Sequence, residues 1–125
     1  MFLSWDFPDV HQADDRTGVL EIGPGIGVLT KELSAVCGRV AAVELDRRLP
    51  DVLAETLADC PNVQVVPGDV LQMDLQALFA DRFAGCDRMQ VCANLPYYIT
   101  TPVLMRLLES ELPIERLVVM VQLEA

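Results

Sequence analysis

The sequence predicts an α/β domain built on a doubly wound, mostly parallel sheet. Three observations carry this. Short apolar runs alternate along the chain with segments of helical period. The runs are nearly continuous in apolar residues, as in strands buried on both faces. Clusters of glycine, proline and carboxylate residues follow the runs, where ligands bind in open α/β sheets.

Each element follows in order. Val19-Leu20-Glu21-Ile22 reads as a strand, stopped by Gly23-Pro24-Gly25-Ile26-Gly27. Val28, Leu29, Leu33 and Val36 then recur at helical spacing. Arg39 to Leu45 is rich in valine and alanine and reads as a second strand. Leu49, Val52, Leu53 and Leu57 form a helical stripe that Pro61 closes. Val63 to Val66 is a third strand, ended by Pro67-Gly68, and Leu75, Leu78 and Phe79 suggest a short helix. Met89 to Ala93 is a fourth strand, ended by Asn94-Leu95-Pro96-Tyr97-Tyr98. A helix is expected from Thr101-Pro102, with a hydroxyl at the cap and proline in the first turn. Leu117 to Val121 is a fifth strand. Residues 1–17 show no clear period and read as a solvated lead-in.

Length and composition bound the function. The 125 residues suffice for one domain and one core. Acids outnumber bases 19 to 9, for a net charge of -10. That balance argues against this chain alone holding a phosphate backbone, without excluding a local basic patch. Cys37, Cys60, Cys86 and Cys92 contain no CxxC pair, and His11 has no nearby cysteine, so no metal site is expected. Reduced thiols in a cytoplasmic protein are the simpler reading. Neither a signal peptide nor an apolar run of 18 residues is present, so no membrane partner is expected.

Four clusters carry the chemistry. Gly23 to Gly27 reads G-x-G-x-G, with Val28 where a dinucleotide pattern has its last glycine. A nucleoside therefore fits better than a dinucleotide, although such turns also occur as plain connections. Glu44 lies 21 residues after Gly23, at the end of the second strand. A carboxylate there can accept hydrogen bonds from both ribose hydroxyls; the alternative is a solvated surface acid. Asp46 reads equally as a cap for the next helix. Asp69 can accept from an exocyclic adenine amine, or can reflect turn chemistry alone.

The most specific cluster is Asn94-Leu95-Pro96-Tyr97. The exocyclic amine of adenine is a poor nucleophile, because its lone pair is shared with the ring. Two acceptors on its two hydrogens favour charge building on that nitrogen as it attacks. The Asn94 side-chain carbonyl and the Leu95 backbone carbonyl can supply them. Pro96 biases Leu95 toward an extended conformation. Tyr97 offers a flat face for stacking a base and an electron-rich ring for a nearby sulfonium. The bland alternative is a proline turn beside two core tyrosines.

Glu21 to Thr30, Val43 to Asp46, Gly68 to Val70 and Asn94 to Thr100 together closely resemble the KsgA-type ribosomal RNA adenine dimethyltransferases over roughly residues 18–125. The resemblance implies a Rossmann-like methyltransferase fold with S-adenosylmethionine (SAM) as methyl donor. It implies dimethylation of two adjacent adenines in small-subunit rRNA, and so the pre-ribosomal small subunit as partner. It implies cofactor binding by Glu21, Gly23, Gly25, Glu44, Leu45, Asp69, Val70 and Asn94. It places Asn94, Leu95, Pro96 and Tyr97 around the target adenine. Erythromycin-resistance methyltransferases share the chemistry and are the nearer enzymatic alternative. A SAM-binding module without catalysis and a ribosome-assembly factor are the others.

The family's N-terminal Gly-Gln-Asn-Phe-Leu motif is absent, and so are its last sheet strands and C-terminal helical domain. Residues 18–125 are therefore expected to form part of a catalytic domain, truncated after about five strands. The apolar run 117–121 would then have an open outer edge, a template for another chain. Three outcomes are expected of it: a homodimer through that edge, cover by the first 17 residues, or aggregation.

Overall fold

The computed structural model describes residues 2–6 and 12–122. Strands are β1 (Phe2–Asp6), β2 (Thr17–Ile22), β3 (Arg39–Glu44), β4 (Val63–Pro67), β5 (Arg88–Pro96) and β6 (Ile114–Gln122). Helices are α1 (Val28–Val36), α2 (Leu49–Thr56), α3 (Leu75–Arg82) and α4 (Tyr97–Glu109), with a single 3-10 turn at Val70–Gln72. One sheet holds all six strands in the order β1-β6-β5-β2-β3-β4. Strands β2 to β6 are mutually parallel, and β1 runs antiparallel to β6. The doubly wound α/β reading holds, and the five expected strands and the helices between them are present, with the start of the last helix displaced.

Alternation along β2 assigns the two faces. Val19 packs with Val40 and Cys37, next to α1. Leu20 and Ile22 pack on the opposite side with Leu75, Phe79 and Phe83 of the α3 segment and Val103 and Leu107 of α4. Every residue of β2 is buried, as a central parallel strand covered on both faces requires. The larger core includes Phe83, whose ring meets Phe79 edge-to-face at a centroid distance of 5.1 Å.

Two local expectations are corrected. The helix after β5 begins at Tyr97, not at Thr101, and Pro102 lies inside it. Pro96, at φ -59 and ψ 147, ends the strand. The Thr100 hydroxyl donates to the Pro96 carbonyl at 3.0 Å, which anchors the first turn. Pro102 lies on the exposed side of the helix, where its missing N–H leaves one first-turn carbonyl without its usual partner. Asp46 does not cap α2, whose N-cap is Arg48 without a side-chain bond. Its carboxylate instead accepts the Arg48 N–H two residues on, at 2.9 Å.

Of the three outcomes expected for the outer edge of β6, the structure shows cover by the first residues of the chain. Within the segment read as a lead-in, Phe2–Asp6 pairs with β6 in a register that runs from Phe2 opposite Met120 to Asp6 opposite Arg116. The Arg116 guanidinium closes this pairing with a two-pronged bond to Asp6, at 2.6 and 3.3 Å. The chain covers β6 with its own first residues, so a dimer built on that edge loses its template. A variant lacking residues 1–6 should therefore self-associate more strongly than the full chain as concentration rises. Light scattering on both chains checks this, and identical masses at every concentration would contradict it.

Candidate functional site

The site forms where β2, β3, β4 and β5 end. After β2 the chain turns through Gly23, Gly25 and Gly27, all at positive φ (77, 60 and 94). The turn is pinned at its start, where the Gly23 N–H donates to the Val43 carbonyl at 3.0 Å. A β-carbon on Gly23 would lie 2.5 Å from the Asn94 carbonyl oxygen. Gly23 thus allows β5 to pass close to the turn, which brings the Asn94 cluster beside the glycines. A β-carbon on Gly25 would meet nothing within 4 Å. The space beside Gly25 is therefore open for a ligand to approach the backbone.

Glu44 ties the turn to β3. It is 7% exposed. Its Oε1 accepts the Gly25 N–H at 3.1 Å and its Oε2 accepts the Asp46 N–H at 3.0 Å. Each carboxylate oxygen has a second lone pair, so the orientation is fixed while acceptor capacity remains. Asp46 beside it is held by the Arg48 guanidinium at 2.7 and 3.0 Å. Those bonds bring its carboxyl down to about 2.

Asp69 follows Gly68, whose N–H donates to the Glu44 carbonyl at 2.9 Å. The Asp69 side chain accepts the Leu71 N–H at 2.9 Å and caps the 3-10 turn. Turn chemistry is thus realised here, and it aims the carboxylate at the end of β4. Asn94, Leu95 and Pro96 are the last residues of β5, opposite Met120, Val121 and Gln122 of β6.

These residues share one cleft of about 420 Å³, within the roughly 300–1,000 Å³ common for small-molecule sites. Gly23, Glu44, Leu45, Asp69, Val70, Asn94, Leu95 and Pro96 all line it. Three expected residues do not. Gly25 is not part of the lining, and its N–H orients Glu44. Tyr97 stands 57% exposed at the rim. Tyr98 lines the cleft in its place, with its ring perpendicular to that of Tyr97 at 6.0 Å. The side chain of Glu21 is buried, 2% exposed. Tyr98 and Thr30 are the residues that sequence reasoning missed. Thr30, in the first turn of α1, is buried and its hydroxyl donates to Glu21, a pairing that its sequence position does not announce because a helical threonine can equally bond its own backbone. A larger groove of about 550 Å³ lies at the opposite ends of β3 and β4, beside Arg39, Asn62 and Arg82, and holds none of the motif residues.

A family model described as ribosomal RNA adenine dimethylase matches residues 9–125. The chain belongs to this family. Among similar proteins is the ribosomal RNA small subunit methyltransferase A of Anoxybacillus flavithermus, 48% identical over 116 residues, which cover 93% of this chain and 39% of that protein. The protein of the same name from Alkaliphilus metalliredigens is 51% identical over 113 residues, covering 90% and 38%. This chain therefore spans about two fifths of the length of these relatives. The solved structure of the 23S rRNA methyltransferase ErmE superposes with a TM-score of 0.73 at 31% identity, covering 90% of this chain and 42% of that one. A dimethyladenosine transferase from Plasmodium falciparum gives 0.71 at 26% identity, covering 88% and 37%.

Within this member of the dimethylase family, Glu21 is the electrostatic exception. Burial pushes its carboxyl up to about 7; the Glu44 charge adds to the rise, and the Thr30 bond opposes it. A carboxyl raised on folding binds its proton more tightly in the folded chain. Its contribution to stability is greatest below the ordinary value of 4.5 and is lost as pH rises toward 7. The loss is on the order of 3 kcal/mol. Glu21→Gln cannot ionise and should escape it. Urea denaturation of both chains should show the variant gaining on the parent between pH 4.5 and 7.5. A stability difference independent of pH would contradict this origin.

Proposed function

We propose that this chain forms the catalytic core of a SAM-dependent dimethyltransferase acting on adenines of small-subunit rRNA. One observation supports it above the others: Glu44, Asp69 and Asn94–Pro96 converge on one cleft at the carboxyl ends of adjacent strands. The fit to SAM rests on this chain's own features. The open side of Gly25 lets a ligand approach the turn, and Glu44 keeps acceptor capacity at the cleft wall.

When bound, SAM supplies a methyl group on a cationic sulfur. Glu44 would accept the ribose hydroxyls, and Asp69 would accept a hydrogen bond from the exocyclic amine of the cofactor's adenine. The Asn94 side-chain carbonyl and the Leu95 backbone carbonyl accept the two hydrogens of the target amine, and Tyr97 stacks the target base. These acceptors favour charge on the attacking nitrogen. Bound there, SAM would supply its sulfonium methyl group to that aligned nitrogen and would leave as the neutral thioether, and the methylated ammonium would be acidic enough to lose its proton to water. Positioning and electrostatic alignment carry the rate, with no covalent enzyme intermediate.

Identities of 48–51% to small-subunit methyltransferases favour small-subunit rRNA over the large-subunit rRNA of the more distant ErmE. Action on ribosomal precursors also implies a cytoplasmic protein, and no helix among the described residues is long and apolar enough to cross a membrane.

Methyl transfer from labelled SAM to undermethylated small subunits, with SAM binding measured in parallel, tests this reading. Asn94→Ala should lower turnover by about 100-fold while weakening SAM binding far less, because alignment matters most in the transition state. Glu44→Ala should weaken binding itself by about 1–3 kcal/mol. SAM binding without transfer would reduce the chain to a cofactor-binding module. Subunit binding without either would leave an assembly role, and label in large-subunit RNA would favour the erythromycin-resistance type.

A further inference from the structure

Among the described residues, Glu21 is the one buried carboxylate that the proposed chemistry leaves without a task. Its neighbours come from three elements. Thr30 of α1 donates a hydroxyl to its Oε1. From β3, the charge of Glu44 acts against its ionisation. From β5, Cys92 is its partner in register, and that thiol is pushed up to about 11 by burial, with the Glu21 charge adding. Among the described residues no lysine or arginine pairs with Glu21. Ionised, it is a buried negative charge facing a second one, held by a single neutral donor. Buried charges persist only when they are paired.

A cation in the cleft would supply that pairing. Glu44 lines the cleft and already acts electrostatically on Glu21, so the field of a charge bound beside Glu44 reaches Glu21 as well. We infer that Glu21 holds a proton in the ligand-free protein and releases it to solvent when the cationic methyl donor binds. This rests on the SAM reading of the cleft. It makes Glu21 a positioning residue whose charge state follows that of the ligand. SAM carries a sulfonium that its demethylated product lacks. The product should therefore draw less proton release, and its affinity should vary less with pH.

Calorimetry of SAM binding at pH 7 in buffers of different ionisation enthalpy reads the released proton directly. With a carboxyl near 7 in the free protein, about half a proton should leave per SAM bound. Glu21→Gln, which keeps an acceptor for Thr30, should release none, and the demethylated product should release less than SAM. Carbon-13 carboxyl NMR of the ligand-free chain gives a second reading. The resonance lost in Glu21→Gln should titrate near 7. Titration near 4.5 overturns the inference whatever binds. SAM binding with buffer-independent enthalpy overturns the linkage alone, whereas no SAM binding at all overturns the cofactor reading and the linkage with it.

Discussion

Glu44 ends β3 with its carboxylate shared between two backbone N–H groups, Gly25 in the turn after β2 and Asp46 just beyond the strand. Much of the site follows from that sharing. The glycine turn has three residues at positive φ and would otherwise sample many conformations. A buried acceptor with both oxygens engaged fixes one of them. The same residue's main-chain carbonyl accepts the Gly68 N–H, which sets where Asp69 emerges from β4. One position on one strand thereby registers the exits of its two neighbours.

Close approach completes the arrangement on the β5 side. Gly23 leaves no room for a side chain against the Asn94 carbonyl, so the turn and the Asn94–Pro96 segment are mutually located by contact. Pro96 then ends the strand and α4 starts at once, which swings Tyr98 over the cleft and leaves Tyr97 at its rim. The sheet beneath is apolar through β2 and carries the site as a rigid edge. Glu21 is the one charged residue within that strand. Its burial is a cost that an apolar residue there would not incur, and the Thr30 hydroxyl offsets only part of it.

Most of this was legible in the amino-acid order, because parallel strands buried on both faces announce themselves as apolar runs and their ends as glycine, proline and acid clusters. What escaped depends on partners distant in sequence. In Phe2-Leu3-Ser4-Trp5-Asp6 only Leu3 to Asp6 alternate, too short a run to mark a strand, and its strand character comes from β6 and from an ion pair 110 residues apart. The start of α4 was misplaced because proline was read as a first-turn residue, whereas the Thr100 bond to the Pro96 carbonyl holds a turn that begins earlier. The sequence leaves Asp46 open between a helix cap and other roles, and its commitment to Arg48 decides against the cap. The resemblance gives Gly25 a place in cofactor binding. Its N–H proves equally important as the donor that orients Glu44.

The central claim is that cofactor chemistry belongs to the smaller cleft at the carboxyl ends of the strands, not to the larger groove at their other ends. Backbone amide chemical shifts recorded during a titration with SAM separate the two. The account predicts that the shifts concentrate at Gly23, Gly25, Leu45, Asp69, Val70 and Asn94 while Arg39, Asn62 and Arg82 stay still. Movement centred on Arg39, Asn62 and Arg82 with the glycine turn unaffected would contradict it.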